Sequence, residues 1–136
     1  MGVFETEQSF EYALKVGTYK ADNYIQFMDN QAQRAATRLS NTGKLTVIIQ
    51  DNASIHRAHL VKERVPIWEK QGLFLFSLPP YSPEMNQIES QWLHLKRQEL
   101  AGRVFEDEYD LALAIIHGLE NRGEQGGFSV KRLTFN

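Results

Sequence analysis

The sequence predicts an α/β fold, and three observations carry that prediction. Segments of strand length and segments of helical periodicity follow one another as strand, strand, helix, strand, helix, strand, helix, helix, the order expected of an α/β domain. Two compact apolar runs, residues 45–49 (LTVII) and 73–76 (LFLF), are short and rich in β-branched or aromatic side chains, as buried strands are. Turn signals bound them: Ser40-Asn41-Thr42-Gly43 before the first, Gly72 before the second, and a proline cluster after the second.

Residues 3–16 alternate well enough for two strands, 3–6 and 10–16, ending at Gly17 and joined by the short polar Glu7-Gln8-Ser9. An antiparallel hairpin is the simplest arrangement. Residues 21–39 read as a helix. Asp22 is placed to cap its start, and Tyr24, Phe27, Met28, Gln31, Ala35 and Leu39 recur at helical spacing. The run 45–49 follows as a central strand with both faces buried, and Asp51 and Asn52 stand just past its end. Residues 55–71 are helix-like, with Leu60, Val61, Val65 and Trp68 on the apolar side and Pro66 as a kink or restart. After the strand at 73–76 come Pro79, Pro80 and Pro83, three of the four prolines, which stiffen the turn. Residues 87–100 form a helix with Ile88, Trp92 and Leu95 in one stripe and Leu93 and Leu100 alongside. Residues 107–120 form the last clear helix, with Leu111, Ile115 and Leu119 inward. The glycine-rich tail ends in a β-like run, Phe128 to Phe135, whose place in the sheet the pattern does not fix.

The bulk properties bound the function. The chain's 136 residues suit one domain. Its 42% hydrophobic and 24% charged residues are ordinary for a globular protein. No apolar run approaches the roughly 18–20 residues of a membrane span. The acidic start MGVFETEQSF is unlike a signal peptide. With no cysteine, disulfides and thiolate metal sites are excluded, which suits a reducing cytoplasm. The net charge of −2 counts against a dedicated nucleic-acid-binding domain, but not against a catalytic domain whose grip on DNA lies elsewhere.

Ligands in open α/β sheets gather beyond the carboxyl ends of parallel strands, which singles out Asp51. A carboxylate held rigidly at a sheet edge is a hard oxygen ligand for Mg²⁺ or Mn²⁺. It can equally organise the turn through its own backbone, with Asn52. Glu89 lies three residues after Asn86, the spacing of a capping box, in which the glutamate side chain reaches back to a backbone N–H. It is also a second carboxylate for a metal. His56, five residues past Asp51, is placed to touch a phosphate or a carboxylate, or serves structure alone. Tyr81 and Ser82 in the proline-rich turn either contact a DNA backbone or simply build the turn. Lys96 lies about 20° around the helix from Glu89 at 3.6 residues per turn. It and Arg97 either meet a phosphate near a bound metal or form a solvated face. Arg57, Lys62 and Arg64 read as surface.

Taken together, IIQDNASIHRA and LPPYSPEMNQIESQWLHLKR resemble the catalytic core of insertion-sequence transposases of the Tc/mariner superfamily, the DDE superfamily endonucleases. The resemblance covers about residues 10 to 120 and rests on a strand ending in DNA-x-x-H and a following L-P-P-Y-S-P-E-x-N-x-I-E block. It implies a ribonuclease H-like fold, a mixed sheet flanked by helices. It also implies metal-dependent DNA cleavage and strand transfer at transposon ends, with three acids holding two divalent cations roughly 3.5–4 Å apart. Asp51 would be the second acid and Glu89 the third, side by side at one rim of the sheet, with Mg²⁺ or Mn²⁺ as cofactor. Gln87 departs from the proline often found before the Ile-Glu pair, which loosens the helix start.

A larger departure concerns the first acid. Before Asp51 the only aspartates are Asp22 and Asp29, both in the first predicted helix. Residues 3–16 resemble the family's second and third strands. The expectation is therefore a single partial catalytic domain over 1–136, lacking the first strand, its aspartate and the upstream DNA-binding region, with activity impaired or absent. Glu5 or Glu7 would substitute only in a different strand register. The alternative is a non-catalytic module that self-associates as a homo-oligomer through an unpaired sheet edge. Another metal-dependent hydrolase of the same fold fits the LPPYSPEMNQIE block poorly.

Overall fold

The alternation of apolar and polar residues at the N-terminus folds as the antiparallel hairpin it predicts. In this computed structural model, which describes residues 1–15, 17–80 and 82–135, strands β1 (Gly2–Glu5) and β2 (Ser9–Tyr12) pair with Val3 opposite Glu11 and Phe4 opposite Phe10. The second strand stops at Tyr12, short of the expected end, and Val16 lies outside the described residues. The chain divides into two units, one of Met1–Val16 with Asn86–Thr134, the other of Gly17–Met85 with Phe135.

The first unit holds the hairpin, helix α3 (Ile88–His94), a π-helical turn (Leu95–Leu100), helix α4 (Glu108–Gly126) and strand β5 (Ser129–Arg132). The tail run that the sequence left unplaced is β5. It adds to β2 in parallel, with Phe10 opposite Val130, making a mixed sheet in the order β1-β2-β5. Phe10, Tyr12, Leu95, Leu119 and Phe128 form the buried centre, with Ile88, Trp92 and Ile115 packed against it. The Trp92 ring meets Phe10 edge-on at 5.0 Å, so the predicted stripe of α3 does face a core. Helix α4 is longer than its periodic signal. Asp107 caps its start by accepting from the Asp110 N–H at 2.8 Å, and Gly127 ends it at φ +70°, a conformation that favours glycine.

The second unit holds helix α1 (Ala21–Thr42), strand β3 (Thr46–Gln50), a 3₁₀ turn (Ser54–Arg57), helix α2 (His59–Lys70), strand β4 (Leu73–Ser77) and a second 3₁₀ turn (Pro83–Met85). Strands β3 and β4 pair in parallel, Ile48 opposite Leu75, through the crossover helix α2. Of the apolar positions expected in α1, Tyr24, Phe27, Met28, Gln31 and Ala35 are buried. Its start is closed by Asn23, whose side chain accepts from the Lys20 N–H at 2.9 Å, and not by Asp22 as N-cap. In α2, Val61 and Trp68 are buried but Leu60 is exposed. Leu60 falls about 100° from Val61 around the helix, off the stripe that faces the sheet. Helix α2 continues across Pro66.

Two sheet expectations change. The described strands form a three-stranded and a two-stranded sheet. Strand β3 is not buried on both faces: Ile48 and Gln50 are buried, while Val47 and Ile49 are 61% and 50% exposed. Phe76, paired with Ile49, is 58% exposed on the same face. Helices α1 and α2 cover only the other face.

Candidate functional site

Asp51 follows the last ladder residue of β3, where the Leu78 N–H donates to the Gln50 carbonyl at 2.8 Å and holds the two strand ends together. Its side chain is 60% exposed. One carboxylate oxygen, Oδ1, accepts from the Ala53 N–H at 3.3 Å, the turn chemistry foreseen for this position. The other oxygen has no partner among the described residues. Turn-building and ligation are thus compatible: one oxygen serves the fold and the other is available.

His56 comes to the same carboxylate. Its Nδ1 stands 3.2 Å from Asp51 Oδ1 and 2.9 Å from the Asp51 carbonyl. Of the expected site residues in this unit, these two are the pair the structure brings together. Behind them lies Tyr24, whose ring sits 4.7 Å from the His56 ring at 34°. The Tyr24 hydroxyl donates to Gln50 Oε1 at 2.5 Å. Burial holds the Tyr24 hydroxyl pKa well above the usual tyrosine range. The Asp51 charge reinforces that shift. Sequence reading recovered Tyr24 only as a core position and did not single out Gln50, which the structure places at the end of β3. Ser82 heads the second 3₁₀ turn, its carbonyl accepting from the Met85 N–H at 3.2 Å. Tyr81 lies outside the described residues.

Glu89 belongs to the other unit, in the first turn of α3. The capping box expected there does not form. The helix start has no side-chain cap, and the Glu89 N–H donates to the Asn86 carbonyl at 3.0 Å. The Glu89 carboxylate has no partner among the described residues, so the local use that competed with ligation is removed. Its helix is fastened to α4 by Arg122, which donates to Gln91 Oε1 at 3.0 Å and reaches His94 Nε2 at 3.3 Å. Gln87 accepts from the Thr6 hydroxyl, which ties down the helix start that lacks a proline. Lys96 and Arg97 are exposed on the π-helical turn. Winding there is wider than 3.6 residues per turn, so the ideal phase between Glu89 and Lys96 does not carry through.

The donors fit a hard dication in kind, both being carboxylates with an available oxygen. They do not complete a cage: among the described residues no group of three or more His, Asp or Glu side chains is gathered for a metal. Asp22 and Asp29 both lie on α1. Asp29 is engaged by Arg64 and by Trp68 Nε1, each at 2.7 Å. Arg64, taken as surface from the sequence, is therefore a structural partner. No helix of the described residues is long and apolar enough to cross a membrane.

Comparison with known proteins adds the family. The family model described as DDE superfamily endonuclease matches residues 1–112. The chain is 34% identical over 74 residues to the uncharacterized protein y4pE/y4sA of Sinorhizobium fredii (strain NBRC 101917 / NGR234), covering 54% of this chain and 50% of that one. It thus spans about half the length of this curated relative. No solved structure gives a significant match.

Proposed function

Because the chain belongs to the DDE superfamily endonucleases, we propose that it is catalytic-core sequence of an insertion-sequence transposase of the Tc/mariner type, with a ribonuclease H-like ancestry. Its substrate class is DNA at transposon ends, and its place of action is the cytoplasm. Asp51 and Glu89 are the metal-ligating acids, with Mg²⁺ or Mn²⁺ as cofactor. The observation that carries this reading is the Asp51 carboxylate, held by one oxygen at the carboxyl end of a parallel strand with the other oxygen available.

The bound dications would supply Lewis-acid activation of an attacking oxygen and stabilisation of a leaving one. The protein's own part is orientation. The β3 ladder fixes Asp51. The core contact of Trp92 and the Arg122 fastening fix the helix that carries Glu89. Lys96 and Arg97, exposed and without an ion-pair partner among the described residues, supply phosphate contacts, as does the Tyr81-Ser82 turn. The aspartates that precede Asp51 lie on α1 and no third acid is assigned, so the chain alone is weakly active or inactive. Nicking of supercoiled plasmid in Mn²⁺ tests this. Any nicking should fall about 100-fold or more in Asp51→Ala, equivalent to about 2.7 kcal/mol of barrier. Equal nicking by both proteins removes the catalytic reading.

A second reading, a self-associating module, draws on the two-stranded sheet. Strand β3 has a neighbour on one side only among the described strands, and its Val47 and Ile49 are exposed. An unpaired strand edge beside an exposed apolar face is a template for a second copy of the chain.

A further inference from the structure

We propose that His56 is a positioning residue for Asp51, braced from behind by Tyr24 and Gln50, and not a phosphate contact. The proposal rests on the reading of Asp51 as a metal ligand and adds what fixes that ligand's orientation.

An aspartate one residue past a strand has a short side chain with free rotation unless something holds it. Here a single ring nitrogen spans two oxygens of the same residue, the Asp51 carbonyl at 2.9 Å and Oδ1 at 3.2 Å. Both are acceptors, so Nδ1 carries the hydrogen. That tautomer is the opposite of the one free imidazole favours. The N–H bonds the Asp51 carbonyl and lies alongside its carboxylate, which sets the rotamer of Asp51 against the direction of its own backbone. The Ala53 N–H reinforces it on the same oxygen. Oδ2 is thereby the oxygen presented outward.

His56 needs support of its own, because it sits on a 3₁₀ turn of four residues. Its side chain is only 17% exposed, and its ring lies against that of Tyr24. Tyr24 is buried, edge-on to Trp68 at 6.3 Å. Its hydroxyl returns to Gln50, the residue immediately before Asp51, and Gln50 Nε2 donates on to Ser77 Oγ at 3.4 Å. The contacts therefore close on the strand end where they began. A histidine serving the turn alone would need only its backbone bond to Ala53.

The test uses the full ¹⁵N-labelled chain with Mn²⁺ as the only added ligand, followed by paramagnetic broadening of the Asp51 and Asn52 amides. Asparagine places an N–H where Nδ1 stands, whereas glutamine places it one atom farther out. His56→Gln should raise the Mn²⁺ concentration for half-maximal broadening roughly tenfold or more, and His56→Asn should stay close to the unsubstituted chain. Thermal unfolding of both variants is followed in parallel, because a merely structural histidine would lower stability without separating their Mn²⁺ affinities. The tautomer is read directly on the unsubstituted chain, in mildly alkaline solution, from two-bond ¹H–¹⁵N correlations, so it depends on no variant folding. Hydrogen on Nδ1 supports the proposal and hydrogen on Nε2 overturns it. Loss of broadening in Asp51→Ala with unchanged affinity in His56→Gln overturns the positioning role and leaves Asp51 as a ligand. Equal broadening in Asp51→Ala and the unsubstituted chain overturns the ligand reading, and the proposal with it.

Discussion

Tyr24 makes this protein sensitive to alkali. Its hydroxyl is held above the ordinary tyrosine pKa of about 10, chiefly by burial. A group raised on folding contributes stability that is fully present below its unfolded pKa and is lost as pH rises beyond it. Thermal stability should therefore fall steeply above about pH 10, and Tyr24→Phe should flatten that fall. Tyr12, also raised by burial, contributes in the same direction. Asp29 makes a second test. Asp29→Ala strands the indole N–H of Trp68, a fully buried side chain, and frees Arg64. The expected loss is about 1–3 kcal/mol, read by chemical denaturation, and comes mainly from the indole because the ion pair is partly solvated. At this scale the resemblance of its two blocks to the family singled out Asp51 and Glu89, and chain position alone put His56 near Asp51. The sequence could not display Gln50 as a brace, because that role depends on α1 laying Tyr24 beside it from 26 positions away.

Helix α4 and strand β5 meet so closely that one methyl group should separate them. A Cβ at Gly123 would stand 2.6 Å from Val130 Cγ2 and 2.8 Å from the Phe128 carbonyl oxygen. Alanine improves helix propensity by up to about 1 kcal/mol. The backbone oxygen cannot rotate aside, so Gly123→Ala should still destabilise by about 1–3 kcal/mol in a denaturant titration. Element type was legible where a period was long and clean, as in α1 and α4. Which faces are covered was not legible for β3. A run of four or five apolar residues reads the same whether both faces are packed or one is open, and here helices cover one face only. The capping box at Glu89 failed for a related reason. The spacing was present, but the chain enters α3 through Asn86 and Gln87 without a side-chain cap.

For the whole molecule, the α/β order of elements was legible up to α4, while the placing of the last strand and the distribution of strands between two sheets were not. Strand pairing is non-local, and the β2–β5 ladder joins residues whose sequence gives no hint of each other. The proposed self-association belongs to this scale. Sedimentation velocity should show a concentration-dependent dimer or larger species. Ile49→Lys, on the exposed face of β3, should shift it toward monomer by placing a charge on the strand. A monomer at all concentrations would exclude that reading without touching the assignment of Asp51.

The hydrogen bond from Ser129 Oγ to the Gln8 carbonyl spans 121 positions of the chain. On the ribosome, the hairpin therefore emerges long before the strand that flanks it, with all of Gly17–Met85 translated in between. That intervening stretch contains both partners of its own ladder and can close first. Strand β2, bearing Phe10 and Tyr12, must wait uncovered on one side until β5 is made. During synthesis it is open to capture by chaperones or by a neighbouring nascent chain.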